Sequence, residues 1–108
     1  MRDVLSADEI TTGIAETGLE GWWFGDGALH ARFATGGFAT GLEFVNRVGE
    51  VADAMDHHPD LDLRFSYVDV HTHSHDVGGV TRRDLRLAAR VAEVAGVLGL
   101  RAGPAAAS

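Results

Sequence analysis

Between Phe38 and about Asp56 the apolar residues Phe38, Leu42, Val45, Val48, Ala52 and Met55 recur at a 4-3-3-4-3 spacing, with Phe44 and Val51 widening the stripe. That period lays a single apolar face along one long helix, which something else in the chain must cover. Pro59 disfavours helical backbone at His58, so the helix stops there. On each side of it the period changes to two. Upstream, Trp22-Trp23-Phe24 leads through Gly25-Asp26-Gly27 into Leu29, Ala31 and Phe33, which alternate with polar residues. Downstream, Leu61, Leu63 and Phe65 alternate with Asp62 and Arg64, and after a turn at Ser66-Tyr67 the pattern resumes as Val68, Val70, Thr72 and Ser74 against Asp69, His71, His73 and His75. Each segment reads as a β-hairpin with one apolar face.

The ends of the chain supply two more helices. Ser6-Ala7-Asp8-Glu9 has the form of a capping box, with Leu5 and Ile10 placed as a hydrophobic staple. The helix it opens runs from about Ala7 to Thr17, buries Ile10 and Ile14, and meets a left-handed stop at Gly18. After the loop Asp76-Val77-Gly78-Gly79, Thr81 is a good N-cap and Asp84 lies in the first turn of a final helix using Leu85, Ala88, Ala89, Ala92, Ala95 and Leu98. The order α-β-β-α-β-β-α predicts an α+β domain, a four-stranded antiparallel sheet with the helices packed on one face. Residues 1–100 form that single domain, and residues 101–108, with nothing to bury, form a frayed tail.

Composition removes several classes of function. A chain of 108 residues has room for one core, and without cysteine it has neither disulfides nor thiolate chemistry. Nine basic residues, all arginine, stand against sixteen acidic ones, a formal charge of −7 that repels phosphate backbones and argues against nucleic-acid binding. Arg82, Arg83, Arg86 and Arg90 read as a solvated helix face. No apolar run is long enough for a membrane helix, and the amino-terminal residues lack a signal pattern, so a cytoplasmic protein is expected.

Five of the six histidines fall between positions 57 and 75. Imidazole titrates near neutrality, so such a cluster suits proton transfer or metal binding. His57 is expected in the last turn of the long helix, with Asp53 four residues earlier on the same face; dipole and carboxylate would both favour its protonated form, and plain capping of the helix also fits. His58 is an exposed boundary residue or a functional one, and Asp60 suits an Asx turn after proline. His71, His73 and His75 project from one strand face at a two-residue period, permissive for zinc, nickel or copper but not diagnostic. The two tryptophans and Phe24 read as core or interface packing, or as the flank of a pocket. Gly78-Gly79 before a helix start is a weak anion-site signal.

Asp53, then His57-His58-Pro59, Phe65 six residues after the proline, His75 ten beyond it and Asp84 near the next helix start together resemble the pattern of the pterin-4a-carbinolamine dehydratases, also called 4a-hydroxytetrahydrobiopterin dehydratases. The segment from Gly78 to Ala88 is similar to the same family, and the likeness is best over positions 38 to 90. It implies the same α-β-β-α-β-β-α fold and a homodimer or homotetramer. The implied reaction is loss of water from a 4a-hydroxytetrahydropterin to give a quinonoid dihydropterin, with no cofactor beyond the pterin and no metal. By the same resemblance His57 and His75 are the acid and base, His58 binds and orients the pterin, and Asp53 supports His57. The pterin would lie against Pro59 and Ser74-His75-Asp76-Val77. Ser74 stands where the family commonly has threonine, and His71 and His73 are additions to its motif. Two further readings compete: an interaction protein of the same fold without catalysis, and a metal-binding protein using His71, His73 and His75.

Overall fold

The computed structural model describes residues 3–103. The chain runs α1 (Ala7–Thr17), β1 (Trp23–Gly25), β2 (Ala28–Ala34), α2 (Phe38–Met55), β3 (Asp60–Leu63), β4 (Tyr67–Thr72) and α3 (Arg82–Val97). The strands form one antiparallel sheet, as the two-hairpin pattern predicts, and their order in it is β1-β2-β4-β3. Leu29, Ala31, Phe33, Val68 and Val70 face the helices and are buried, whereas His30, Arg32, Asp69 and His71 between them lie half-buried on the helix-free face.

Local chemistry accounts for the element ends. Ser6 and Glu9 exchange backbone-to-side-chain bonds of 2.8 and 3.1 Å, the reciprocal capping box that opens α1, and Gly18 closes the helix at φ +69°. The first hairpin turns on Asp26-Gly27, both at positive φ (+50° and +76°), a backbone twist that matches the strands it joins.

Four expectations are corrected. The buried arc of α2 is Gly41, Phe44, Val48, Val51 and Ala52, which leaves Phe38 and Leu42 about half exposed at 48% and 46%. The helix is rotated because Gly41 is the residue that approaches the sheet; a Cβ there would come within 2.8 Å of Leu63 Cδ1. Phe65 does not continue the apolar face of β3. It occupies the turn closed by the Arg64 N–H to Tyr67 carbonyl bond (2.9 Å) and is exposed, while Tyr67 already belongs to β4. On α3 the expected residues Leu85, Ala88 and Ala95 are buried, with Ala89, Ala92 and Leu98 packed against the core. The correction there is the addition of the fully buried Leu87 and Val91, since the helix is covered by α1 and α2 as well as by the sheet.

The fourth correction concerns the carboxyl-terminal segment. Residues 101–103 do not fray: Ala102 bridges Phe33, and the Gly103 N–H donates to the Arg32 carbonyl at 2.8 Å. β1 is too short to cover the whole edge of β2, and the returning chain satisfies the backbone groups left over. Gly21, at φ +87°, permits this approach, because a Cβ there would overlap the Ala102 carbonyl. The rest of the expected tail, residues 104–108, lies outside the described residues.

Candidate active site

The helix α2 ends earlier than Pro59 alone requires. Asp56 adopts a left-handed conformation (φ +52°), its N–H bonds the Asp53 carbonyl, and the His57 N–H reaches back to the Ala52 carbonyl at 3.1 Å. This Schellman-type stop turns His57 out of the helical path. His57 therefore does not sit in the last helical turn, and its carboxylate partner is not Asp53.

The His57 ring instead enters the protein, 11% exposed, and its Nε2 lies 2.6 Å from Oδ1 of the fully buried Asp84. Asp84 belongs to the first turn of α3, where its Oδ2 accepts the Thr81 backbone N–H at 2.9 Å. Two further hydroxyls converge on the same carboxylate: Thr72 Oγ1 to Oδ1 at 2.6 Å and Ser74 Oγ to Oδ2 at 2.9 Å. One side chain thus caps a helix, ties that helix to the end of β4 and holds an imidazole delivered from α2.

His58 remains on the surface, its Nε2 2.9 Å from Asp53 Oδ1. Asp53 consequently supports His58, which corrects the expected pairing with His57. Pro59 leads into β3, whose first residue, Asp60, lies opposite His71 in the sheet register. The turn at positions 57–59 and the strand end at positions 72–75 therefore emerge at the same end of the sheet. There Ser74 is buried and its backbone closes a compact loop, with Ser74 N–H to the Gly79 carbonyl at 2.7 Å and Gly78 N–H to the Ser74 carbonyl at 2.9 Å. His75 is exposed, with its ring 4.1 Å from that of His73. Asp76 is held by Arg83 Nη2 at 2.8 Å, and Val77 is half-buried beside it.

The strand histidines do not act as one array. His71 pairs with Asp60 at 3.0 Å and lies beside His30, apart from the His73–His75 pair. Among the described residues no group of three histidines or carboxylates converges to hold a metal ion, so the structure does not support the reading that joins His71, His73 and His75. The tryptophans divide as well. Trp22 is core, edge-on to Phe33, while Trp23 is exposed and stacks on His30 with ring centroids 4.1 Å apart; both residues contribute to the lining of a cavity of about 610 Å³ on the helix-free face. Neither His57, His58 nor His75 lines that cavity.

Sequence reasoning identifies Thr81 as a cap and Asp84 as a first-turn acid, but assigns neither to His57. The T-x-x-D spacing signals the cap alone; the contact with His57 spans 27 residues and arises only from the packing of α2 against α3.

This is a small α+β domain with a buried carboxylate orienting one imidazole, and with two more histidines, His58 and His75, on the segments that meet at the same end of the sheet. The family model described as pterin 4 alpha carbinolamine dehydratase matches residues 3–94. A protein of Mycobacterium sp. (strain KMS) is 40% identical over 91 residues, covering 84% of this chain and 95% of its own length. One from Metallosphaera sedula is 42% identical over 90 residues, covering 83% and 92%. Both are named as candidate pterin-4-alpha-carbinolamine dehydratases. A crystal structure from Brucella melitensis, titled transcriptional coactivator/pterin dehydratase, matches with a TM-score of 0.80 at 28% identity, covering 87% of this chain and 100% of that one. The chain belongs to the pterin 4 alpha carbinolamine dehydratase family.

Proposed function

We propose that this protein removes water from a 4a-hydroxytetrahydropterin to give the quinonoid dihydropterin, using histidines as acid and base. The hydroxyl on C4a must leave as water, so it needs a proton, while the proton on ring nitrogen N5 must be taken away. His57 and His75 are the groups for these two transfers, and His58, steadied by Asp53, binds and orients the pterin. Pro59 and the stretch Ser74-His75-Asp76-Val77 would form the surface against which the ring lies. The observation that carries the reading is the His57–Asp84 pair, 2.6 Å apart and tied through Ser74 to the strand end bearing His75. A buried carboxylate holding an imidazole at the edge of a surface site is a common preparation for proton transfer.

The test is a stopped-flow assay of quinonoid dihydropterin formation from a chemically generated 4a-carbinolamine. The protein should accelerate it, and the double variant His57→Ala/His75→Ala should lose that acceleration while remaining folded; full residual rate in the double variant would refute the assignment. The proposal includes a cytoplasmic homodimer or homotetramer, in keeping with the exposed Phe38 and Leu42 on α2, and sedimentation would report the oligomer. Among the described residues no helix is long and apolar enough to cross a membrane.

A second reading, an interaction protein, draws on the coactivator half of the Brucella protein's title and on the same exposed apolar residues. A fold retained for binding alone would show no acceleration in the stopped-flow assay.

A further inference from the structure

We infer that Thr72 is a positioning residue for His57, acting through Asp84, and that the hydroxyl network around Asp84 fixes His57 in the Nε2–H form, leaving Nδ1 to exchange protons with the substrate. The last clause rests on the function proposed above; the positioning itself does not.

The argument is an accounting of donors. Asp84 is fully buried and offers two oxygens, each of which is met twice. Oδ2 receives the Thr81 backbone N–H, which can only donate, and Ser74 Oγ. Ser74 Oγ is also 2.9 Å from Thr81 Oγ1, and Thr81 Oγ1 in turn accepts the Arg83 backbone N–H. A single assignment uses every proton in that chain: Thr81 donates to Ser74, and Ser74 donates to Asp84. On Oδ1, Thr72 Oγ1 and His57 Nε2 both stand at 2.6 Å. With Thr72 donating, Oδ1 has one position left, and a carboxylate that accepts everywhere else accepts a hydrogen bond there from the His57 Nε2–H. Nε2 therefore carries hydrogen in both charge states of the ring. The nitrogen free to gain or lose a proton is Nδ1.

Thr72 does more than add one bond. Its side chain is only 1% exposed and sits on β4, a rigid central strand, so its hydroxyl occupies one side of Oδ1 and confines the imidazole N–H to the other. That fixes the rotation of the His57 ring, whose backbone lies in a turn and could not do so alone.

The experiment is nitrogen-detected NMR of histidine-labelled protein, with Thr72→Val, which keeps shape and removes the hydroxyl, and Thr72→Ser, which restores it. In the unsubstituted protein, once pH is raised until the His57 ring is neutral, it should show a protonated Nε2 and a bare Nδ1. Thr72→Val should move this signature toward a tautomer mixture and lower kcat of dehydration about tenfold, with KM little changed, the size of effect one charge-assisted hydrogen bond supplies. Thr72→Ser should restore both. A neutral His57 ring that carries its hydrogen on Nδ1 and leaves Nε2 bare in the unsubstituted protein overturns the inference even if Thr72→Val fails to fold, and so does a valine variant that keeps both tautomer and kcat. Absence of dehydratase activity in the unsubstituted protein with the expected tautomer present would sink the proposed reaction and leave the positioning role standing.

Discussion

Asp53 and Asp84 divide the two adjacent histidines between them: Asp53 Oδ1 meets His58 at 2.9 Å in the open, and Asp84 Oδ1 meets His57 at 2.6 Å in the core. The same type of pair has opposite consequences in the two environments. Asp53 is 82% exposed and His58 57%, so water screens their attraction and the pair adds little to stability. Asp53→Asn should leave the thermal midpoint unchanged within error and raise KM roughly threefold by loosening His58. Calorimetry and steady-state kinetics on one preparation check both halves, and a large fall in kcat with KM intact would contradict the role given to Asp53.

For Asp84 the expectation reverses. Asp84→Ala strands the Thr81 amide, two hydroxyls and the His57 ring nitrogen without an acceptor in a buried place. Removing one partner of such a network costs about 3 kcal/mol or more. Urea unfolding should show the loss as a lower midpoint with an unchanged slope, and a variant within 1 kcal/mol (about the worth of one ordinary hydrogen bond) of the parent would contradict the network described.

What was readable in the sequence divides along the same line. The Ser6–Glu9 box, the Asp26-Gly27 turn and the alternation of Leu29, Ala31 and Phe33 are decided within a few residues, and each is found where the pattern puts it. Spaced motif residues mark the histidines of the site in the sequence, but not their partners. A continuous helix would pair His57 with the carboxylate four positions back, Asp53. A left-handed Asp56 breaks that helix, and the true partner waits on another element. Ala102 likewise reads as tail in the sequence, since nothing near it shows that Gly21 leaves room for its backbone.

Gly21 carries the next prediction. Gly21→Ala forces a side chain into the Ala102 carbonyl at a φ of +87°, which L-residues avoid. The substitution should cost about 2 kcal/mol. Its specific sign is local: hydrogen exchange at the Gly103 amide, bonded to Arg32, should accelerate more than exchange in β4. Equal acceleration in both would mean that the segment is not separately docked.

Acid should release the start of α1 only below the ordinary carboxylate range. The backbone N–H and hydroxyl of Ser6 hold the Glu9 carboxyl below its ordinary value of 4.5. A carboxylate depressed in the folded state contributes stability that is fully present above its unfolded pKa and is lost as pH falls through the lower folded value. The Ser6 amide resonance should therefore titrate below pH 4.5, and Glu9→Gln should remove that titration. A midpoint above the ordinary value would reverse the sign and exclude the capping box in solution.

The phase of α2 gives the sharpest contrast between pattern and packing. Phe38 and Phe44 are both aromatic and both belong to the stripe visible in the sequence, yet Phe44 is fully buried against Phe33, ring centroids 4.9 Å apart, and Phe38 is half in solvent. Phe44→Ala deletes a ring from a closed core and should cost roughly 3–5 kcal/mol. Phe38→Ala removes a ring that water already reaches and should cost about 1 kcal/mol or less. Comparing urea midpoints for the two variants measures which side of the helix faces the sheet. Costs of equal size would mean that Phe38 is covered in the native assembly, and the concentration dependence of its midpoint would then reveal whether a second copy covers it.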